Sequence, residues 1–150
     1  MIKIICIGKI KETYLKEAIS EYTKRLSKYT KLEIIELPDA SFDIKKTLEV
    51  ERDLIKKNLK ESDYNILLDI NAEELNSIEF ANNLDKIRQI NSNVNFIIGG
   101  SNGVHEDIKR MVNEKISFSK LTFPHQLFRV ILLEQIYRSF KILNNEEYHK

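Results

Sequence analysis

The fold class is decided by Val94-Asn95-Phe96-Ile97-Ile98-Gly99-Gly100-Ser101-Asn102-Gly103. The first half of this stretch is a short apolar run, which is typical of a buried strand. The second half holds three of the four glycines of the chain, and an amphipathic stretch over residues 104–113 follows it. A strand that runs through a glycine loop into a helix favours an α/β fold.

Strands and helices are predicted to alternate along the whole chain. The predicted strands are Ile2–Ile7, Leu32–Leu37, Asn65–Asp69, Val94–Ile98 and Ile116–Phe118. The predicted helices cover residues 12–29, 43–61, 78–90, 104–113 and 124–143. This order predicts a single α/β domain over residues 1–150, with a largely parallel sheet flanked by helices. Because ligands of such sheets bind outside the carboxyl ends of the strands, the loops after the third, fourth and fifth strands are the candidate site.

The composition limits the possible functions. The 150 residues include 24 Lys and Arg against 23 Asp and Glu, which excludes a protein that binds nucleic acid by net charge alone and leaves room for a small basic patch. Cys6 is the only cysteine and the three histidines lack metal-ligand spacing, so we expect neither a disulfide framework nor a metal site. No stretch approaches the roughly 18 apolar residues of a membrane span, and we expect a cytoplasmic protein.

The last predicted helix is apolar almost all the way round, from Leu127 to Leu143. A helix with this pattern is buried on more than one side, and a domain of this size has little room for that. We therefore expect its extra face to meet a second copy of the chain in a homodimer. Two arginines of this helix, Arg129 and Arg138, either pair with a carboxylate such as Glu134 or face a phosphate.

Three segments could carry the chemistry. The glycines after Ile98 form either a ligand-binding loop or a plain turn, and the absence of Gly-x-Gly-x-x-Gly and P-loop spacings argues against a dinucleotide site and an NTPase. The segment Ser117–Gln126 either binds a ligand or only caps and packs, with Thr122 as the expected cap of the last helix and Ser77 as that of the third. The final Tyr148-His149-Lys150 is either idle or suited to stacking on a base and contacting a phosphate.

Four segments together resemble the signature of one enzyme family. They are Asn95–Gly103, Ile116–Arg129, Glu134–Arg138 and Tyr148–Lys150. Over essentially its full length the chain is similar to the ribosomal RNA large subunit methyltransferase H family of the SPOUT superfamily. The resemblance implies a SPOUT-type α/β knot with a C-terminal trefoil knot, an obligate homodimer, and S-adenosylmethionine bound in the knot. It also implies methyl transfer to N3 of a pseudouridine in the 23S ribosomal RNA of the assembled ribosome.

The resemblance also implies a set of cofactor contacts. By position they are Leu68, Gly99, Phe118, Ser119, Lys120, Leu121, Thr122 and Phe123. These residues belong to the three loops that the α/β prediction selects. One segment departs from the family pattern, because Asn71-Ala72-Glu73-Glu74 stands where many relatives have a Gly-Lys pair after the third strand. A loop without glycine is expected to sit further from the cofactor.

The catalytic residues are expected near the end of the chain. Methyl transfer to N3 of a pseudouridine needs a base or stabilisation of the developing anion. We expect His149 to act as base or proton relay, Tyr148 to orient the target base, and Arg138 to contact a phosphate or the anion. His125 and Arg129 are second choices, for which a structural role in the knot and the last helix is the favoured interpretation. A non-enzymatic ribosome-associated module and a nucleotide- or flavin-binding protein are the alternative functions.

Overall fold

The computed structural model describes residues 1–150 and alternates strands with helices from end to end. The strands are β1 (Ile2–Ile7), β2 (Leu32–Leu37), β3 (Tyr64–Leu68), β4 (Val94–Ile98) and β5 (Glu114–Ile116). The helices are α1 (Thr13–Leu26), α2 (Ile44–Lys56), α3 (Ser77–Ile90), α4 (Glu106–Met111) and α5 (His125–Leu143). Every strand pairing is parallel, and the strands lie in the order β2-β1-β4-β3-β5. The predicted α/β fold, a parallel sheet flanked by helices, is confirmed.

Both faces of the sheet are covered by helices, which explains why its central strands are continuous apolar runs. The side chains of β1 alternate between two cores, because successive residues of a strand point to opposite faces. Ile2, Ile4 and Cys6 belong to the larger core, and Ile5 and Ile7 to the smaller one. The larger core lies under α1, α3 and α5, and the smaller core lies under α2 and α4.

The chain changes its direction of travel across the sheet at the boundary between β1 and β4. The strand that follows β1 in the chain is β2, which lies beside β1 at one edge of the sheet. The strand that follows β4 is β5, which lies beyond β3 at the other edge. Ligands of α/β proteins bind outside the carboxyl ends of the strands at such a switch point. The topology therefore directs attention to the loops that follow β1, β3, β4 and β5.

Three further features bear on the function classes considered above. No helix is long and apolar enough to cross a membrane. No group of three or more His, Cys, Asp or Glu side chains is placed to hold a metal ion. Cys6 lies fully buried in the larger core, and burial raises the pKa of its thiol to about 11. This cysteine therefore stays a protonated, inaccessible thiol.

The predicted position of the fifth strand is wrong by two residues. β5 spans Glu114–Ile116 rather than Ile116–Phe118, because it pairs in register with Ile66–Leu68 of β3, and β3 ends there. The next residue, Ser117, forms only an isolated bridge with Glu74. The segment after Ile116 is thereby released from the sheet and becomes a loop.

Two predicted helix caps are also wrong. Asn76 rather than Ser77 caps α3, because its side chain accepts a hydrogen bond from the Glu79 N–H at 2.8 Å. The Glu79 carboxylate in turn accepts one from the Asn76 N–H at 2.9 Å, and this reciprocal capping box satisfies two backbone donors at once. Thr122 does not cap α5, because Pro124 occupies the capping position and no side chain bonds the helix end.

A buried arginine ties α5 to the sheet. Arg129 is 1% exposed, and its guanidinium donates to the carbonyl oxygens of Ile7 at 2.9 Å and Gly8 at 2.7 Å. Another N–H donates to the Glu36 carboxylate at 2.8 Å. Arg129 therefore pairs with a carboxylate rather than facing a phosphate, and it holds the start of α5 at the carboxyl ends of β1 and β2. The trefoil knot is compatible with this contact and stays a prediction.

We expect the Arg129→Ala variant to lose about 3 kcal/mol of its free energy of unfolding, because two backbone carbonyls lose their donor and Glu36 loses its partner. Urea unfolding followed by circular dichroism measures the loss. Arg110→Ala is the control, since Arg110 is 76% exposed in its ion pair with Asp107, and the free energy should change by no more than about 0.5 kcal/mol. Equal losses in the two variants would contradict the structural role of Arg129.

Candidate active site

Three loops meet around a cleft of about 460 Å³ at the carboxyl edge of the sheet, a volume typical of small-molecule sites. The loop after β3 contributes residues 68–71, and the loop after β4 contributes residues 99–104. The segment after β5 and the start of α5 contribute Ser117, Phe118, Ser119, Leu121, Thr122, Phe123, His125 and Phe128. The three loops selected from the sequence therefore form one site.

The glycine loop is a tight turn that presents bare backbone to the cleft. A Cβ on Gly99 would lie 2.8 Å from the Gly103 carbonyl oxygen and 2.8 Å from a methyl group of Val104, so no larger residue fits there. Gly103 has a φ of +76°, in the left-handed region that favours glycine, and its N–H donates to the Gly100 carbonyl at 3.0 Å. The loop is thus both a turn and a wall of the cleft, and the ligand-loop interpretation is favoured.

The segment after β5 is held by hydrogen bonds of its own and by aromatic packing. The Ser117 hydroxyl donates to the Ser119 carbonyl at 3.0 Å, and the Ser119 hydroxyl accepts from the Leu121 N–H at 2.9 Å. The Phe118 ring packs edge-on against Phe80 of α3, with the ring centroids 5.3 Å apart. Leu121 itself is 72% exposed. An apolar side chain on a fixed loop beside the cleft is suited to covering a ligand bound there.

The structure brings together seven of the eight residues that the resemblance assigns to the cofactor. The cleft is lined by Leu68, Gly99, Phe118, Ser119, Leu121, Thr122 and Phe123, but not by Lys120. Only Asn71 of the glycine-free segment reaches the cleft. The Glu73 carbonyl instead accepts a hydrogen bond from the Ser117 N–H at 3.0 Å, which fastens this loop to the end of β5.

His125 lines the cleft where α5 begins. Its Nε2 lies 3.6 Å from the position that a Cβ on Gly8 would take, and Gly8 has a φ of +94°. Burial, with a smaller contribution from the charge of Arg129, lowers the pKa of His125 below its usual value. The imidazole is therefore neutral at physiological pH and packs against the end of β1, which agrees with the structural role favoured from the sequence.

Of the three residues predicted to be catalytic, two contact Glu134 of α5 and the third contacts one of these two. Arg138 pairs with this carboxylate at 2.6 Å, and the Tyr148 hydroxyl donates to it at 3.0 Å. Another N–H group of Arg138 lies 3.1 Å from Nδ1 of His149, and the guanidinium carbon lies 4.7 Å from the centre of the Tyr148 ring. From the sequence, Glu134 is expected only as a carboxylate that could pair with Arg129 or Arg138. Its contact with Tyr148 depends on how the chain end folds back on α5.

His149 connects this cluster with the cleft. It lines a second cavity of about 490 Å³, together with side chains of α3 and α5. Phe118 and Phe123 line both cavities, so the two cavities share an aromatic wall. Two ligands, one in each cavity, would therefore both contact Phe118 and Phe123.

Tyr148 stays a neutral phenol at physiological pH. Burial raises the pKa of its hydroxyl to about 12, and the hydrogen bond to Glu134 adds to the shift. The same carboxylate raises the pKa of Arg138, which remains a cation. His149 is therefore in contact with a permanent positive charge, that of Arg138, and follows a phenol that stays neutral.

A family model described as "Predicted SPOUT methyltransferase" matches residues 1–149. The chain belongs to the SPOUT methyltransferase family. A relative named "Ribosomal RNA large subunit methyltransferase H", from Caldicellulosiruptor saccharolyticus, is 49% identical over 154 residues, which cover 100% of each chain. A protein of the same name from Clostridium tetani is 50% identical over 157 residues, which cover 99% of each chain.

The SPOUT architecture also matches a solved structure. The crystal structure of tRNA (m1G37) methyltransferase from Aquifex aeolicus aligns with a TM-score of 0.54 and 15% identity, over 91% of this chain and 69% of that one. At this identity the likeness concerns the fold alone. It supports the prediction of a SPOUT-type α/β fold.

We expect the Glu134→Gln variant to lower the pKa of Tyr148 without returning it to the ordinary value of about 10, because burial is the larger cause of the shift. Phenolate absorbance measures the titration, read after a rapid pH jump so that the fold is retained. Subtracting the signal of a Tyr148→Phe variant isolates this hydroxyl from the other tyrosines. An unchanged pKa in Glu134→Gln would show that the carboxylate does not accept the phenol hydrogen bond.

Proposed function

We propose that this protein is an S-adenosylmethionine-dependent methyltransferase that methylates N3 of a pseudouridine in the 23S ribosomal RNA of the assembled ribosome, in the cytoplasm. Full-length similarity to proteins named ribosomal RNA large subunit methyltransferase H supports methyl transfer as the reaction and large-subunit ribosomal RNA as the substrate. The observation that carries the proposal is the position of His149. This residue belongs to the charged cluster around Glu134 and also lines the cavity that adjoins the glycine-loop cleft.

The residues of the cleft fit S-adenosylmethionine. A Cβ at Gly99 would clash with backbone, and one at Gly100 would lie 3.2 Å from Ile7, so two neighbouring glycines form a cradle of bare backbone. The remaining walls combine apolar side chains with backbone groups, which suits a ligand that has an adenosine and an amino-acid moiety. The cofactor would be held by Leu68, Gly99, Phe118, Ser119, Leu121, Thr122 and Phe123. When bound, it supplies a methyl group on an activated sulfonium.

The contact between Arg138 and His149 determines what the imidazole can do. A guanidinium only donates hydrogen bonds, so Nδ1 of His149 accepts one and the neutral ring carries its proton on Nε2. A ring in this state can donate a hydrogen bond but has no free lone pair to take up a proton. We infer that His149 stabilises negative charge developing on the target base rather than acting as the base or proton relay expected from the sequence.

The other members of the cluster position this donor. Glu134 holds Arg138, and Arg138 holds His149. The Tyr148 ring lies against the guanidinium and keeps the chain end in place. Arg138 also adds a positive charge close to the developing anion, which lowers the energy of that anion. Because the methyl donor is already activated, the protein mainly has to position the reactants and stabilise the developing charge. The N3 proton of the target base passes to water.

Two other functions account for less of the site. A non-enzymatic ribosome-associated module would not need a cluster of Glu134, Arg138, Tyr148 and His149 beside a ligand cleft. A flavin- or dinucleotide-binding protein would be expected to carry a Gly-x-Gly-x-x-Gly loop, which this chain lacks. Binding of S-adenosylmethionine separates the proposed function from the binding module, and turnover separates it from both.

The direct test is methyl transfer from labelled S-adenosylmethionine to ribosomes from a strain that lacks this protein. Intact ribosomes and isolated large subunits are compared, and the labelled nucleotide is located by digestion of the RNA. Label at one pseudouridine in intact ribosomes alone is the expected result. Cofactor binding without label in either sample would overturn the proposed substrate.

We expect the His149→Ala variant to lower kcat by about 10²–10³-fold, the usual effect of removing one donor to a developing anion. His149→Gln keeps an N–H donor but cannot act as a base, so it should retain most of the activity that His149→Ala loses. Single-turnover methylation at saturating cofactor measures both variants. Equal loss in the two variants would favour the base role instead.

We also propose that the protein is a homodimer built on α5. Leu132, Leu133 and Ile136 are fully buried within one chain, but Leu127 stays 39% exposed and Ile131 is only half-buried. This remaining apolar surface of α5 is what a second copy would cover. Light scattering at micromolar protein concentration tests the proposal. A monomer under those conditions would contradict it.

A further inference from the structure

A buried carboxylate lies beside the glycine loop and does not line the cleft. Glu51 of α2 is 5% exposed. Its Oε1 is 3.3 Å from the position that a Cβ on Gly100 would take, and a methyl of Ile7 is 3.2 Å from the same position. The end of β1 and the Glu51 carboxylate therefore close the same side of Gly100, while Gly100 itself lines the cleft.

Glu51 also holds the loop that follows β2. Its Oε2 accepts a hydrogen bond from the Ala40 N–H at 3.1 Å. One helical turn earlier, the buried Thr47 hydroxyl accepts from the Phe42 N–H at 3.1 Å. Residues four apart share one face of a helix, so α2 binds this loop with two side-chain acceptors. Of these two, only Glu51 also lies beside Gly100 of the glycine loop.

A role in stability alone explains Glu51 poorly. A buried carboxylate with one hydrogen bond is costly, and burial, followed by the nearby charge of Asp39, raises the pKa of Glu51. An apolar side chain of similar size in such a place is often at least as stabilising. An apolar side chain could fill the space beside Gly100 but could not accept from the Ala40 N–H, so only the carboxylate ties the loop after β2 to the face of α2 that lies beside the glycine loop.

We propose that Glu51 is a positioning residue for the cofactor, which holds the Gly99–Gly100 backbone in the conformation that binds S-adenosylmethionine. It touches neither the cofactor nor the target base, and it acts through Gly100. The inference rests on the proposed function, because it assigns the cleft to that cofactor. It predicts that Glu51 affects cofactor affinity far more than the chemical step.

The test compares Glu51→Ala, Glu51→Asp and Glu51→Gln with the wild-type protein by calorimetric titration with S-adenosylmethionine, and by kcat and KM for methylation of ribosomes. We expect Glu51→Ala and Glu51→Asp to raise Kd and KM for the cofactor by about tenfold or more, which corresponds to about 1.4 kcal/mol. At saturating cofactor, kcat should stay within about twofold, since the transition state gains nothing further from Glu51. Glu51→Gln keeps an oxygen for the Ala40 N–H and should restore most of the affinity.

A second buried acid provides the control. Asp63 is 3% exposed and lies at the opposite, amino edge of the sheet, where it accepts from Asn93 and Asn95 at 3.1 Å each. Asp63→Ala should lower Tm and leave cofactor affinity unchanged. If Glu51→Asp, the variant that changes the core least, binds the cofactor as tightly as the wild-type protein, the positioning role is overturned. If the wild-type protein itself fails to bind, the proposed function fails.

Discussion

The position of α5 depends on one buried cation. Arg129 reaches from the start of the helix to the carbonyl oxygens that end β1, and Glu36 balances its charge. A guanidinium is tolerated inside a protein where hydrogen bonds replace the water it has lost, so α5 cannot slide along the sheet without breaking them. The candidate site depends on this anchor, because His125 lies one turn before it, and Glu134 and Arg138 follow about 8–14 Å further along the helix.

The carboxyl edge of the sheet concentrates features that a structure selected only for stability would avoid. Nε of Arg129 has no hydrogen-bond partner, and Glu51 is buried with a single one. At the amino edge the buried Asp63 accepts from two asparagines, although Oδ1 of one of them, Asn95, has no hydrogen-bond partner. Departures from local rules tend to gather where a protein binds or reacts. Here Arg129 lies at the start of α5 and Glu51 lies beside the glycine loop, and both of these elements contribute to the walls of the cleft.

Much of the architecture could be predicted because its signals are local. The bounds of β1, β2 and β4 agree with the predictions, since each strand is a short apolar run ended by a turn residue or a polar segment. The order of strands and helices then suffices for a parallel sheet, and the carboxyl-edge rule selects the three loops of the cleft. The resemblance adds which residues are expected to contact a cofactor. Its motifs fall on loops that the fold independently brings together, apart from Lys120, whose side chain the segment after β5 keeps out of the lining.

The fold class, the family and the segments that form the site therefore follow from the sequence alone. The tertiary structure decided which partners satisfy the polar groups inside it. Arg129 and the Gly8 carbonyl are 121 residues apart in the chain, and tertiary folding alone brings Tyr148 to Glu134 and Gly100 beside Glu51. The physical reason is that periodicity and turn chemistry report on neighbours along the chain, whereas a buried charge must be satisfied by whichever groups the packed elements place beside it.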